Sequence, residues 1–224
     1  MMEKIRCHGL WVPASDVRVF ARYSEFEGLP DLDVQKIAKC VALSPSFGTA
    51  LDIGAHIGAV SVYLARKFER VIAFEAVPAT FEFLRLNAAE IPNITALNVA
   101  VGPTAGEVYL SHYPRHGQLS HVDCGIPVEK TSRIGPIPAQ TIDSLSMASV
   151  SFIKIDVEGF ELPVLEGAVE TIQRCRPLML VEQNGNDEVH FGRPRNEATA
   201  FLESLGMRRH PDEPKMSKDR LFTF

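Results

Sequence analysis

The chain has 224 residues, 46% of them hydrophobic and 23% charged, which suits one globular domain, residues 1–224, with a buried core. Its formal net charge of −5 disfavours nucleic-acid binding, because a phosphate backbone requires a basic face. No apolar run reaches the length of a membrane span and no secretory apolar segment follows the polar first residues, so we expect no membrane partner.

The cysteines indicate the cellular compartment. Cys7, Cys40, Cys124 and Cys175 form no C-x-x-C pair and no doublet typical of zinc modules. This spacing is typical of reduced thiols, so we expect a cytoplasmic protein. Nothing in the sequence indicates an oligomeric state.

Residues 1–45 precede the first strong strand pattern and are expected to form a cap over the domain. A helix begun by Asp31 or Asp33 is expected near the end of this segment, because apolar residues recur on one face between 34 and 41.

The central pattern of the chain is a buried strand, a glycine turn and a helix. Ala50–Ile53 is a short apolar run typical of a parallel strand, and Gly54 allows a tight turn after it. Apolar residues then follow at helical spacing: Ile57, Val60, Leu64 and Phe68. Such a turn is expected to aim free backbone N–H groups and the positive end of a helix dipole at a bound ligand.

The same turn indicates the kind of ligand. A dinucleotide fingerprint has a middle glycine where the backbone approaches a pyrophosphate, whereas this chain has His56 between Gly54 and Gly58. A ligand with a carboxylate and a nucleoside but no phosphate fits better, and S-adenosylmethionine is such a ligand. The alternative is that the glycines serve only close packing.

An acidic residue ends the next apolar run, Arg70–Glu75. Glu75 lies 21 residues beyond Gly54. An acid near that distance, at the tip of the next strand, can accept hydrogen bonds from both hydroxyls of a ribose, and we interpret Glu75 in this way. A solvated acid at a strand end is the alternative.

A third strand completes the first half of the pattern. Pro78 suits the first turn of a helix, and Ile94–Val101 then predicts a strand whose small residues Asn98 and Ala100 leave room for an adenine ring. An ordinary strand end is the alternative. Strands and helices alternating in this order predict a parallel sheet with right-handed crossovers.

Residues 102–140 break this regularity. We expect a long irregular insertion, apart from one hairpin arm at Gly106–His112, and interpret it as a wall or lid of the acceptor site. A zinc site is a less favoured alternative, since its candidate ligands lack the spacing of a structural zinc module. Those candidates are His112, His116, His121 and Cys124.

The second half returns to α/β alternation, with strands expected at Ser151–Val157 and Pro177–Glu182 and a single helix between them. A further helix is stopped by Gly206. Extended pieces near Met207–His210 and Arg220–Phe224 are expected to close the sheet as an antiparallel hairpin.

Lys154, Asp156 and Glu158 alternate at the carboxyl end of the Ser151–Val157 strand, so their side chains point to one side if the strand extends that far. A lysine in an apolar strand requires a partner, which we expect to be Asp156 or Glu158. Ligands bind beyond the carboxyl ends of such strands, where carboxylates favour a sulfonium cation and an acid or an amine of lowered pKa can accept a hydroxyl proton. A structural ion-pair cluster is the alternative.

Taken together, these motifs resemble the FkbM-type family of S-adenosylmethionine-dependent methyltransferases. The resemblance covers about residues 48–185 and depends on the order and spacing of six segments: Asp52–Gly58, Phe74–Pro78, Asn98–Gly102, Thr141–Leu145, Ile153–Gly167 and Pro177–Glu182. The family often has Asn where this chain has His56, which should alter one contact and not the class.

The resemblance implies an α/β fold with a doubly wound, mostly parallel sheet, of the Rossmann-like class I methyltransferase type. It implies direct O-methylation of a small-molecule hydroxyl, on a sugar, a glycan or a polyketide-type acceptor, with S-adenosylmethionine as cofactor. The candidate bases, in falling order of preference, are Asp156, Glu158 and Lys154. The expected cofactor-binding residues are Asp52, Gly54, Ala55, His56, Gly58, Glu75, Ala76, Asn98, Ala100 and Asp156.

Three other possibilities follow from the same residues. Some small-molecule O-methyltransferases hold Mg²⁺ at strand ends, and Asp156, Glu182 and Asn184 stand in similar places, but the resemblance requires no metal and we expect none. A nicotinamide-dependent oxidoreductase is disfavoured by His56. A catalytically silent S-adenosylmethionine-binding module is disfavoured because the acids are intact.

Overall fold

A computed structural model of the chain describes residues 3–112, 120–122, 132–183, 185, 191–194, 196–214 and 218–224. Strands and helices alternate along most of this length, as an α/β protein requires. No helix in these ranges combines the length and the apolar character that crossing a membrane requires.

The strands, in chain order, are β1 (Lys4–Cys7), β2 (Leu10–Pro13), β3 (Glu25–Phe26), β4 (Leu29–Pro30), β5 (Thr49–Ile53), β6 (Arg70–Phe74), β7 (Ile94–Leu97), β8 (Ala100–Val101), β9 (Gly106–His112), β10 (Ser120–Val122), β11 (Ser132–Gln140), β12 (Phe152–Ile155), β13 (Leu178–Glu182), β14 (Arg208–Arg209) and β15 (Asp219–Thr223). The helices are α1 (Val17–Phe20), α2 (Val34–Val41), α3 (Ala59–Ala65), α4 (Pro78–Ala88), α5 (Glu161–Glu166), α6 (Val169–Cys175) and α7 (Glu197–Ser204).

Seven of the described strands form the main sheet, in the order β14-β15-β13-β12-β5-β6-β7. The strands from β13 to β7 are parallel, and β15 runs antiparallel to both β13 and β14. The predicted mostly parallel sheet with a C-terminal antiparallel hairpin is therefore confirmed. The strand order reverses between β5 and β12, so the carboxyl ends of these two strands border the crevice in which such sheets bind ligands.

The main sheet is buried on both faces because its strands are apolar at both alternations. Ala50 and Phe152 belong to a core cluster formed with α2 and α3. Leu51 and Ile153, one position further along, belong to a second cluster formed with α5, α6 and α7. This two-sided burial explains why the strands appear in the sequence as continuous apolar runs.

The described part of residues 1–45 packs on the α3 side of the sheet. The Trp11 N–H donates to the side-chain oxygen of Asn87 in α4 at 2.6 Å, and the Asn87 amide donates to the Trp11 carbonyl at 3.0 Å. The Asp31 carboxylate accepts the Gln35 N–H at 2.9 Å and so caps the start of α2. The delimitation of this segment as a cap stays a prediction.

The hairpin arm expected at Gly106–His112 is confirmed as β9, whereas the irregular course expected beyond it is wrong for 120–122 and 132–140, which form β10 and β11. β9 and β11 pair antiparallel, and β11 also pairs parallel with β8, in a second sheet. Leu110 and Ile137 bury their side chains against Val77 and Ala100 in this sheet. The rest of the segment and the zinc alternative stay untested, because 113–119, 123–131 and the side chains of 112 and 121 lie outside the described residues.

The strand expected over Ile94–Val101 is interrupted after Leu97. The side-chain amide of Asn98 donates to the carbonyl oxygens of Glu75 and Ala76, at 2.8 and 3.1 Å, and Ala100–Val101 joins the second sheet. The chain therefore leaves the main sheet at Asn98.

The single helix expected after β12 is also interrupted, and forms α5 and α6. The break falls at Gly167, where an added Cβ would overlap the carbonyl oxygen of Gly102. This close backbone approach requires glycine at position 167.

Candidate active site

A cavity of about 340 Å³ lies at the carboxyl ends of β5, β6, β12 and β13. Parallel α/β sheets bind ligands at this edge. Nine of the residues predicted from the sequence line it: Gly54, Ala55, His56, Glu75, Ala76, Ala100, Lys154, Asp156 and Glu158.

The glycine turn after β5 uses its own backbone amides differently from the expectation. The N–H groups of Gly54 and Ala55 both donate to the carbonyl oxygen of Phe74, at 3.0 and 2.9 Å, and the His56 N–H donates to Glu75. The expectation of free amides aimed at a ligand is wrong for these three residues. Their hydrogen bonds tie the tip of β5 to the tip of β6 instead.

Glu75 is held at the end of β6 by two backbone amides. Its Oε2 accepts the His56 N–H at 2.9 Å, and its Oε1 accepts the Val77 N–H at 2.8 Å. The residue is 8% exposed, and burial raises the pKa of its carboxyl to about 7 despite these hydrogen bonds. Each carboxylate oxygen has a second lone pair with which it can accept a hydroxyl of a ligand.

An apolar wall borders the cavity beside Glu75. It is formed by Ala76, Val77, Val99, Ala100 and Leu110. Small and aliphatic side chains of this kind suit the face of a flat aromatic base. The second sheet thus contributes Leu110, which the sequence did not indicate as a site residue.

Lys154 lines the cavity and connects β12 to the ends of two other segments. Its Nζ donates to the Gly54 carbonyl oxygen at 2.9 Å and lies 3.3 Å from Asp156 Oδ2 and 3.4 Å from Asp52 Oδ1. Asp156 is one of the two partners predicted for this lysine. Asp52 was not predicted as a partner, although parallel pairing of β5 with β12 places it directly opposite Lys154.

These contacts decide which groups carry charge. Burial lowers the pKa of Lys154, but the carboxylates of Asp156 and Asp52 outweigh burial and raise it above its usual value. A lysine that stays an ammonium cannot accept a proton, so this environment does not support Lys154 as the base. Burial raises the pKa of Asp156, but Lys154 and a hydrogen bond from Glu182 lower it below its usual value.

Asp156, Glu158 and Glu182 form a carboxylate cluster at one end of the cavity. Each has an oxygen within 4.8 Å of an oxygen of the other two. Burial and the charge of Asp156 raise the pKa of Glu182, so its carboxyl keeps a proton and donates a hydrogen bond to Asp156. Oxygen ligands in this arrangement would suit a divalent cation, but Asn184, the third predicted ligand, lies outside the described residues.

Glu158 reaches this cluster by a route other than the expected one. β12 ends at Ile155, so strand alternation does not extend to Glu158. The residues after Ile155 form a loop in which Glu158 adopts a left-handed backbone conformation, with φ +55°. The backbone turn, and not the strand period, brings its carboxylate to the cavity.

His56 stands between the turn and the carboxylates. Burial and the positive charge of Lys154 lower the pKa of its imidazole to about 4, so the ring is neutral at physiological pH. The ring lies parallel to that of Phe20 with centroids 6.3 Å apart. This contact links the site to the N-terminal segment.

Several lining residues were missed in the sequence because they are distant in the chain. Lys36 in α2 lies 2.6 Å from Asp219 of β15 and 3.2 Å from Asp33. Tyr23 lines the same region of the cavity. No sequence pattern connects positions 36 and 219, so only the folded chain identifies this pair.

A protein-family model described as "Methyltransferase FkbM domain" matches residues 52–208. The chain belongs to the FkbM methyltransferase family. All the predicted site residues of this chain, from Asp52 to Glu158, lie within the matched segment.

Curated relatives of this family member are similar at modest identity. A methyltransferase 1 of Beauveria bassiana is 28% identical over 158 residues, which cover 58% of this chain and 63% of that protein. A hexuronic acid methyltransferase AglP of Haloferax volcanii is 26% identical over 153 residues, which cover 67% of this chain and 59% of that protein. The chain therefore spans about three fifths of the length of the curated relatives it matches.

Solved structures share the fold. A methyltransferase FkbM of Methylobacillus flagellatus is 21% identical with a TM-score of 0.51, over 80% of this chain and 44% of that one. A precorrin 8W decarboxylase of Methanobacterium thermoautotrophicum is 14% identical with a TM-score of 0.50, over 90% of this chain and 96% of that one. At these identities the likeness extends to the fold alone, and it agrees with the Rossmann-like sheet of this FkbM-family domain.

Three predicted cofactor residues do not line the cavity of this FkbM-family domain: Asp52, Gly58 and Asn98. Asp52 is fully buried, accepts the Ser61 hydroxyl at 2.6 Å and faces Lys154. Gly58 is the N-cap of α3, and an added Cβ there would overlap the Leu84 side chain. Their role as direct cofactor contacts stays a prediction.

Proposed function

We propose that this chain is an S-adenosylmethionine-dependent O-methyltransferase that acts on a hydroxyl of a small molecule, a sugar, a glycan or a polyketide-type acceptor. The observation that carries the proposal is the layout of one cavity. A buried carboxylate, Glu75, follows β6 beside the apolar wall, and Asp156 and Glu158 follow β12, on the other side of β5 in the sheet order β12-β5-β6. This is the order in which a nucleoside and a sulfonium group follow one another in S-adenosylmethionine.

In this proposal each part of the cavity binds one part of the cofactor. Glu75 accepts the ribose hydroxyls, and the wall of Ala76, Ala100 and Leu110 packs against the adenine. The Gly54–His56 turn borders the methionine portion. Asp156 lies nearest the sulfonium, whose positive charge a carboxylate stabilises.

Bound S-adenosylmethionine supplies a sulfonium methyl group for in-line transfer to the acceptor oxygen. The chain orients the two reactants, and such positioning is worth up to ~7–11 kcal/mol for well-aligned groups. Asp156 or Glu158 accepts the hydroxyl proton, which adds about 10²–10⁴-fold. Lys154 keeps Asp156 ionised and fixed, and is not itself the base.

The charge of the described lining favours a neutral acceptor. Acidic side chains outnumber ammonium groups, since seven acids, of which Glu182 keeps a proton, face two lysines, Lys36 and Lys154. The acids are Asp31, Asp33, Glu75, Asp156, Glu158, Glu182 and Asp219. The name of the relative AglP supports a sugar acceptor, but an acceptor with its own carboxylate would meet like charge at this end of the cavity.

The experiment has two stages. Calorimetry should detect binding of S-adenosylmethionine and S-adenosylhomocysteine and no binding of NAD. Transfer of a radiolabelled methyl group is then measured with a matched pair, methyl glucoside and methyl glucuronide, and with a panel of polyketide alcohols. We expect transfer to neutral hydroxyl acceptors.

Each stage can overturn part of the proposal. Comparable affinity for NAD would contradict the cofactor assignment. Binding of S-adenosylmethionine without transfer to any acceptor would favour a silent binding module. Preferred transfer to the glucuronide would contradict the neutral-acceptor argument and leave the methyltransferase assignment intact.

A further inference from the structure

The loop between β12 and α5 carries both carboxylates that the proposed reaction uses. Within it, Glu158 has φ +55° and Gly159 has φ +98°. A left-handed conformation is disfavoured for a residue with a Cβ and persists only where neighbouring structure holds it. Something in this chain must therefore hold Glu158.

The side chain of Glu161 contacts the loop on both sides of that residue. Its Oε1 accepts the Val157 N–H and the Gly159 N–H, each at 3.1 Å. Glu161 is 5% exposed and does not line the cavity. One buried oxygen thus brackets Glu158 through its two neighbours.

The loop has a second attachment at its start. The Asp156 N–H donates to the Ile53 carbonyl oxygen at 3.1 Å, which continues the pairing of β12 with β5. This bond fixes the first residue of the loop but not its turn. The turn itself is closed by the Phe160 N–H, which donates to the Val157 carbonyl oxygen at 3.3 Å, and Glu161 adds two side-chain hydrogen bonds to it.

We propose that Glu161 is a positioning residue that holds Asp156 and Glu158 at the sulfonium end of the cofactor site. The proposal rests on the proposed function. It implies that Glu161 determines how strongly the site prefers the cation S-adenosylmethionine over neutral S-adenosylhomocysteine. Glu161 would exert this effect through the loop and not through its own charge.

The chain allows a test that separates shape from charge. Glu161→Gln removes the charge but keeps an oxygen that can accept both amides. Glu161→Asp keeps the charge but withdraws the oxygen by one methylene, and Glu161→Ala removes both. Because burial raises the pKa of Glu161 to about 7, its carboxyl is partly protonated near neutral pH, and the neutral Gln side chain resembles that protonated form.

A matched control lies elsewhere in the fold. The Asp143 carboxylate accepts the N–H groups of Thr171 and Glu170, at 2.8 and 3.1 Å, and does not line the cavity. Asp143→Ala therefore removes the same two kinds of hydrogen bond at the start of another helix. It reports the effect of lost stability alone.

The measurement is the ratio of the Kd for S-adenosylhomocysteine to the Kd for S-adenosylmethionine, obtained by calorimetry. We expect Glu161→Asp and Glu161→Ala to lower this ratio by about three- to tenfold, since misplaced carboxylates attract the sulfonium less. In Glu161→Gln and Asp143→Ala the ratio should stay within about twofold of the wild type, because Asp156 and Glu158 keep their positions in both variants.

The outcomes are distinct. A wild-type ratio in Glu161→Asp overturns the inference, and so does a ratio that falls in Glu161→Gln but not in Glu161→Asp, since Glu161 would then act by charge. If Glu161→Ala does not fold, the comparison of Glu161→Asp with Glu161→Gln still tests the inference. A wild-type chain that binds neither ligand would contradict the proposed function itself.

Discussion

The carbonyl oxygen of Asp156 lies so close to Gly54 that a Cβ on residue 54 would overlap it. Gly54 also has φ +78°, which glycine adopts without cost. The tips of β5 and β12 can approach this closely only because residue 54 has no side chain. The glycine that marks the turn in the sequence therefore also permits the backbone of Asp156, just after β12, to lie against the end of β5.

Gly54→Ala should destabilise the domain severely. Gly206 is a matched control, because it has φ +87° but open space around an added Cβ. Gly206→Ala should cost only the left-handed strain, about 1–2 kcal/mol. Gly54→Ala adds a backbone overlap, so we expect a Tm at least several degrees below that of Gly206→Ala in thermal unfolding, at roughly 2–4 °C per kcal/mol. Equal Tm values would contradict the close approach of the two strands.

The affinity for S-adenosylhomocysteine should fall as the pH drops below about 7. The raised pKa of Glu75 means that the unliganded carboxyl becomes protonated there, whereas ribose hydroxyls bind best to its ionised form. Linkage limits the slope from one group to about tenfold per pH unit. Glu75→Gln should weaken binding at pH 8 by ~1–3 kcal/mol and flatten this dependence.

The exposed carboxylate of Glu82 in α4 provides the control for that measurement. Glu82→Gln makes the same chemical change away from the cavity and should keep the wild-type slope in calorimetry. The stability of the unliganded domain should depend on pH in the opposite direction. The contribution of Glu75 to folding stability is fully present below pH 4.5, the usual pKa of its carboxyl, and is lost as the pH rises through its raised pKa of about 7. A pH-independent affinity would argue that the ribose lies elsewhere.

Chelation with EDTA should leave methyl transfer unchanged. The Asp156 and Glu182 carboxyls share a proton, and the ammonium of Lys154 lies 3.3 Å from Asp156. Lys154 and the shared proton thus offset part of the cluster's negative charge without a divalent cation. The assay compares initial rates before and after chelation, and then with added Mg²⁺. Loss of activity that Mg²⁺ restores would establish the metal-dependent mechanism instead.

Asp156 and Glu158 should affect different steps. If Glu158 accepts the proton, Glu158→Gln should keep cofactor affinity and lower kcat by about 10²–10⁴-fold. If Asp156 supports the sulfonium, Asp156→Asn should weaken cofactor binding. Single-turnover kinetics with titrated cofactor separate the two. Normal rates in both variants, with unchanged melting temperatures, would remove both residues from the mechanism.

The sequence by itself determined the central strands of the main sheet and several of the helices that cover it. Two-sided apolar runs such as Ala50–Ile53 predicted the buried parallel strands, because burial on both faces is a property of each strand's own residues. Pro78 marked the start of α4 for a similarly local reason. Glu75 and Asp156, which line the cavity, were predicted as site residues because strand ends are visible in the sequence and ligands bind beyond them.

Only the tertiary structure decided what those residues contact. The register of β5 against β12 pairs Lys154 with Asp52, and the fold brings Lys36 to Asp219 across 183 positions. The turn amides predicted to be free bind Phe74 and Glu75 instead. Hydrogen bonds and charges depend on distances between strands, and no local pattern of side chains contains those distances.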